Sequence, residues 1–327
     1  MPTRTGRMWL HWTVAVGFVF IAALPLIPPQ QTDDGDPAAF STRRVLDDVE
    51  TIARRPHPIG SEDSARVRRY LVDRLSGLGL AAETQAIEAM DYFGTPGNTV
   101  PVVNVMARIA GTDPTGALAL VAHYDTVPET PGANDDSGAV ATLLEIGRIL
   151  TAGPPLRNDV ILLFTDGEEP APRFGSAAFV EQHPWFDDIS LVVNLEASGR
   201  GGPSVLIEIS GSERWMIDLL AEAAPSSAAF SFITQIVELL GGFGSDFDEF
   251  NERGVAGWNF AYSHGSSIYP TERDVVSTVS SRSIDQQGTN TLALTQSIGM
   301  LDLGELGDDE GAVFFTIAGG IVVRYSD

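Results

Sequence analysis

Four short stretches place histidine and carboxylate side chains where they could hold divalent cations. His123 and Asp125 follow the apolar run 118–122. Asn134, Asp135 and Asp136 follow a Pro/Gly turn, and Asp166-Gly167-Glu168-Glu169 follows the apolar run 159–164. Glu196 closes the run 190–195. Imidazole and carboxylates form the ligand set usual at catalytic rather than structural zinc sites. Each stretch has an ordinary reading by itself, since a terminal His-x-Asp can be structural and a DGEE turn can be a solvated acidic loop. Together they call for a cation, because like charges gathered at one edge repel unless something compensates them. The chemistry such a centre offers is hydrolysis, with one spare carboxylate as general base toward water.

Parallel strands could bring these residues together. Strand patterns fall at 102–109, 118–122, 159–164, 190–195, 204–209 and 255–261. Helical patterns fall at 41–53, 137–151, 175–183, 212–224, 246–253 and 281–302, and another begins at the cap Ser61 and ends at Gly77 and Gly79. Apolar strands alternating with helices predict an α/β fold, a three-layer sandwich with a mixed, largely parallel central sheet. In such sheets ligands bind beyond the carboxyl ends of the strands. The tail 312–327 predicts an edge strand or hairpin, being too short an apolar run to span a membrane. GSDFDEF (244–250) and the aromatics Trp258, Phe260 and Tyr262 suggest cleft walls, with core as the plainer reading for Trp258 and Phe260. His57, alone between two prolines, reads as structural.

The chain of 327 residues carries a formal charge of −24, and all its basic side chains are Arg. That balance argues against nucleic acid and anionic membrane surfaces as partners. With no cysteine, neither disulfides nor thiolate metal sites are available. The segment 8–29 is apolar and long enough to span a bilayer. Arg4 and Arg7 precede it and Asp33, Asp34 and Asp36 follow, which predicts a cytoplasmic N-terminus and an exported remainder. No clear small-x-small cleavage site precedes Pro28-Pro29, so a retained single-pass anchor is preferred to a secreted product. The organisation expected is a tip and transmembrane signal anchor over 1–29, a linker over 30–40 and one domain over 41–327.

The motifs PHPIGS, VAHYDTVP, GANDDSGAVATLLE, LLFTDGEE, GSAAF, NLEASG and GSDFDEF resemble metallopeptidase family 28, the co-catalytic zinc aminopeptidases. Within it they are most similar to the membrane-anchored, endoplasmic-reticulum-metallopeptidase-like branch. The resemblance runs from about residue 41 to 302 and implies a zinc-exopeptidase fold acting on peptides with a free N-terminus. It implies His123 and Glu169 as ligands of one zinc and Asp135 as a bridge to a second. Asp125 would orient the imidazole, Glu168 would be the general base, and Glu196 would bind the second zinc. It further implies a cis peptide bond between Asp135 and Asp136. Where the family carries a last zinc-binding His, this chain has Pro270, which offers no donor atom. Either His264, six residues upstream, serves instead, or one zinc suffices, or the domain binds without catalysing. Metallopeptidase family 20, with its deacylases and carboxypeptidases, shares the His-x-Asp and Glu-Glu arrangement. Its members insert a dimerisation domain before the last His, whereas about a hundred residues of one continuous domain separate Glu169 from Tyr269.

Overall fold

The computed structural model describes residues 36, 38–90, 99–169, 173–224, 226–304, 306–307, 311–317 and 320–326. The apolar segment 8–29 lies outside them, and none of the described helices is long and apolar enough to cross a membrane. Two serines start the first two helices. The Ser41 hydroxyl accepts from the Arg44 amide ahead of α1 (Thr42–Ile52), and the Ser61 hydroxyl accepts from the Ser64 amide ahead of α2 (Glu62–Gly77). Such caps satisfy amides that the helix itself leaves unpaired. Glu62 and Asp63 in the first turn of α2 and Arg74 in its last turn complement the helix dipole.

The strands β1 (Glu83–Met90), β2 (Thr99–Ile109), β3 (Ala117–His123), β4 (Asp159–Thr165), β5 (Ile189–Ala197), β6 (Val205–Ser210), β7 (Ala228–Ala229) and β8 (Ala256–Tyr262) form one sheet. Their order is β1-β2-β4-β3-β5-β8-β6-β7. The centre, β4-β3-β5-β8, is parallel, while β1, β2 and β6 pair antiparallel toward the edges. β3 and β4 are buried at every position, which explains why they read as unbroken apolar runs rather than alternating ones. Alternate residues of β3 still serve opposite faces. Leu118, Leu120 and Ala122 pack with α1, α2, α3 (Ser137–Ala152) and α8 (Ser281–Ile298). Ala117, Ala119 and Val121 join Phe179 of α4 (Phe174–Gln182) and Phe250 of α7 (Phe247–Glu252) on the other face.

α3 is the inner helix of the first face. Its Glu145 is buried, yet it is paired with Arg44 and Arg148 at 2.8 Å each, and it accepts the Ser41 amide at 3.0 Å. The pairing tolerates a charge in the core and fastens α1 to α3. The tail forms the antiparallel hairpin β9 (Ala312–Ile317) and β10 (Ile321–Ser326). Between β6 and β8 in sequence, α5 (Glu213–Ala223) and α6 (Ser231–Leu240) flank the short β7. β1, β7 and α6 have no counterpart among the sequence expectations. β1 is an edge strand with little apolar signal, and α6 exposes Phe232, Ile236, Leu239 and Leu240, which blurs its amphipathic pattern. Trp258 and Phe260 lie in the core, so they wall no cleft.

His57 is buried and structural. Its Nδ1–H donates to the Arg55 carbonyl at 2.8 Å, and its amide donates to the Thr126 hydroxyl at 3.0 Å. Burial, the largest influence, pushes its pKa down to about 4. The unfolded chain protonates this imidazole near pH 6.5 while the folded chain resists, so His57 favours the fold fully above that pH. The benefit disappears as pH falls from about 6.5 to 4, by about 3 kcal/mol. Urea unfolding of His57→Gln beside the parent should therefore lack that part of the acid-side loss. Parallel pH profiles for the two proteins over this window would contradict the assignment.

Candidate metal centre

The carboxyl ends of β3, β4 and β5 meet because parallel pairing sets His123 opposite Thr165 and Val121 opposite Asn194. The Tyr124 amide extends the pairing to the Thr165 carbonyl at 2.9 Å. Asp125 then turns under the β4–α4 connection. Its two carboxylate oxygens accept the amides of Glu168 and Glu169 at 3.1 and 3.0 Å. The same residue holds the His123 ring: Nδ1 lies 3.1 Å from the Asp125 carbonyl and 3.6 Å from its nearer carboxylate oxygen. A carbonyl can only accept, so Nδ1 carries a proton and Nε2 faces the cluster. Asp125 thus orients the imidazole chiefly through its backbone, while its carboxylate shapes the Glu-Glu turn.

The loop before α3 is gripped from a distant segment. Asp274 accepts the Asn134 amide at 2.8 Å, the Asn134 side-chain amide at 2.7 Å and the Asp135 amide at 3.1 Å. The peptide bond between Asp135 and Asp136 is cis. From this loop Asp135 places an oxygen 3.0 Å from His123 Nε2, and Glu196 and Glu168 place oxygens at 3.8 and 4.0 Å. The Asn194 side chain donates to Glu196 at 3.0 Å, and the Tyr269 hydroxyl donates to Glu169 at 2.7 Å. Asp246 stands behind the cluster, holding Ser176 at 2.5 Å and also Thr165, so within GSDFDEF it supplies support while Gly244 lines the cleft. Asp135, Glu168, Glu169 and Glu196 floor a cavity of about 370 Å³ whose walls include Phe243 and Tyr269.

Burial pushes Asp135 up to about 7, against the pull of His123 and with repulsion from Glu169 and Asp274. It pushes Glu196 up to about 8, with Asp135 and Asp246 adding to the rise. Burial also raises Glu168 and Asp136 well above the usual carboxylate range. For His123 burial favours the neutral ring, but Glu168, Asp125 and Asp135 outweigh it and raise the imidazole well above its ordinary value. One imidazolium cannot balance this many buried carboxylates, and a divalent cation fits the donor set. Two observations support the fit. Both carboxylate oxygens of Asp136 are buried without a hydrogen-bond partner. Donor atoms of His123, Asp136 and Glu196 all lie within 4.8 Å of one another.

His123, Asp135, Glu168, Glu169 and Glu196 are brought together, with Asp125 beneath them. His264 is not brought to them. Its amide donates to the Gly201 carbonyl at 2.8 Å and its carbonyl accepts the Arg200 amide at 2.9 Å. Its exposed ring lies against Gly202, lining a separate hollow with Arg200. This backbone pairing fixes the residue away from the cluster. The sequence set Asp136 among the candidate carboxylates without a role, took Asp246 only as part of a cleft wall, and did not single out Asp274. Asp136 was masked by its neighbour, and Asp274 lies 140 residues from the loop it holds, beyond any local pattern.

Residues 104–295 match the family model described as Peptidase family M28. The chain is 28% identical to a putative endoplasmic reticulum metallopeptidase 1-A of Caenorhabditis elegans, over 98% of this chain and 39% of that protein. It is 30% identical to a vacuolar membrane protease of Eremothecium gossypii, over 85% of this chain and 29% of that protein. The chain therefore spans only about a third of the length of these relatives. Among solved structures, an aminopeptidase from Aneurinibacillus sp. strain AM-1 is similar in fold, with a TM-score of 0.66 and 14% identity over 81% of this chain and 96% of that one. A Porphyromonas gingivalis glutaminyl cyclase has a TM-score of 0.65 and 19% identity over 78% of this chain and 97% of that one.

Asp135 and Glu196 keep their protons in the metal-free fold to about pH 7 and 8, whereas the unfolded chain releases them near the ordinary carboxylate range. The metal-free fold therefore binds more protons, and the stability they contribute is lost as pH rises through those values. Between pH 6.5 and 8, above the range in which His57 titrates, the Tm of chelator-treated protein should fall. Added zinc displaces the protons, so its stabilising shift should grow with pH over the same window. A metal-free Tm that climbs from pH 6.5 to 8 would contradict the charge balance described.

Proposed function

This chain belongs to peptidase family M28, and from that membership we propose that it is a zinc-dependent, aminopeptidase-like hydrolase removing N-terminal residues from peptides. The observation that carries the reading is the meeting of Asp135, Glu168, Glu169 and Glu196 at the floor of one cleft, with the buried His123 beside Asp135, Glu168 and Glu196. His123, Asp135, Glu169 and Glu196 would hold zinc, as one ion or two. Bound there, zinc supplies Lewis acidity toward a water and the scissile carbonyl. Glu168 is the general base. It lines the cleft, where a carboxylate can take a proton from the attacking water and return it to the leaving amine. Asp125 keeps Glu168 and Glu169 in register by gripping both amides. The Tyr269 hydroxyl steadies Glu169. An anionic floor attracts a substrate's ammonium group, which favours attack at the amino-terminal bond.

Membrane anchoring is part of the same proposal. Relatives are named as vacuolar membrane proteases and endoplasmic reticulum metallopeptidases. Together with the apolar segment 8–29, these names support a single-pass anchor with a cytoplasmic N-terminus and the domain 41–327 on the far side.

A second reading, a non-catalytic peptidase-like binding domain, is favoured by one observation: Pro270 stands where the resemblance places a zinc-binding His. Glu168→Gln separates the two, because it removes the base and keeps the shape. With zinc-loaded protein and aminoacyl amides, the variant should lose about 10²- to 10⁴-fold in kcat, with its zinc content unchanged. Equal rates in parent and variant would sink hydrolysis by this site. Bound zinc without turnover in either protein would favour the binding domain.

A further inference from the structure

Pro270 leaves the centre one donor short of the set the family resemblance implies, and Asp136 is a donor without a partner. Asp136 sits at the start of α3, where an aspartate ordinarily accepts amides of the first helical turn. Neither oxygen meets a donor at hydrogen-bond geometry, although the nearby Ala139 amide favours its charge, and the residue is only 1% exposed. Its neighbours are engaged elsewhere. The Tyr262 hydroxyl is directed to Asn134 at 3.4 Å, and Asp135 bonds His123. A carboxylate buried this way is strongly unfavourable unless something outside the protein's own donors meets it.

The neighbouring donors indicate what that partner is. His123 Nε2 and a Glu196 oxygen are 3.8 Å apart, and an Asp136 oxygen lies within 4.8 Å of a donor atom of each. Two donors on one zinc, each at about 2.0–2.2 Å, stand no more than about 4.4 Å apart, so a small adjustment closes the set. We infer that Asp136 is itself a zinc ligand, joining His123 and Glu196 in a set of one imidazole and two carboxylates. The assignment rests on the zinc-centre reading above, but it adds a ligand that the family resemblance does not carry to this position. It makes the centre richer in oxygen and negative charge than a two-histidine site, and it makes the cis Asp135–Asp136 pair a source of two ligands.

Metal binding tests the assignment apart from activity. The full chain is stripped by chelator and reloaded with zinc. It is then read by metal analysis after dialysis and by competition with a chromogenic chelator. Asp136→Asn and Asp136→Ser are compared with the parent. Serine is a good helix cap, so the second variant separates a lost ligand from a disturbed start of α3. In both variants zinc affinity should fall more than about a hundredfold, beyond the loss typical of outer-shell partners. Metal-free Asp136→Asn should melt no lower than the parent, since it removes an unpaired buried charge, and its zinc-induced gain in Tm should shrink. A loss smaller than a hundredfold in both variants overturns the assignment. If Glu168-dependent hydrolysis persists in that case, the proposed function stands without Asp136. A parent chain that binds no zinc overturns both.

Discussion

Charge repulsion at the carboxyl edge of the sheet is the constraint on which the rest of this structure depends. Asp135, Asp136, Glu168, Glu169 and Glu196 are all buried around one imidazole. Desolvation and mutual repulsion would protonate several of them or push them apart if nothing positive joined them. The fold holds them together all the same, which requires a scaffold that does not relax. Its central strands are buried at every position of β3 and β4, and its inner helix α3 is enclosed over most of its length.

Around the cluster sits a ring of residues whose work is to hold other residues. Asp125 binds the amides of the Glu-Glu turn, Asp274 binds the loop that carries Asp135, and Asp246 ties Ser176 to the end of β4. Each brings two elements together through a carboxylate, and each adds negative charge near the centre. Such support sets ligand geometry within narrow limits and raises ligand basicity. The same arrangement explains why His264 stays apart. Its backbone is committed to the strand-like pairing with Gly201, and moving it would sacrifice both hydrogen bonds.

Pro270 stands where the family resemblance places a zinc-binding histidine, and that difference bears on the charge of the centre. An imidazole is neutral when it binds metal, whereas a carboxylate adds a negative charge and softens the cation's pull on a bound carbonyl. Tyr269, immediately before Pro270, still reaches Glu169, so the segment keeps its contact with the site through a hydroxyl.

Much of this was legible in the amino-acid sequence. The unbroken apolar runs of β3 to β5, the cap Ser61, and the donors His123, Asp135, Glu168, Glu169 and Glu196 at the strand ends all follow from local patterns. Each strand end announces its own donor, and the alternation with helices predicts that parallel strands align those ends. Other features depended on contacts between distant segments. Asp274 reaching Asn134, Asp125 serving two amides rather than mainly an imidazole, and Trp258 turning inward are set by packing. So is the difference between adjacent aspartates, one hydrogen-bonded to His123 and the other left unpaired. Sequence determined which donors this chain owns and on which strand ends they stand. Only the tertiary structure decided which of those donors are already satisfied, because a side chain's partners come from whatever the fold packs beside it.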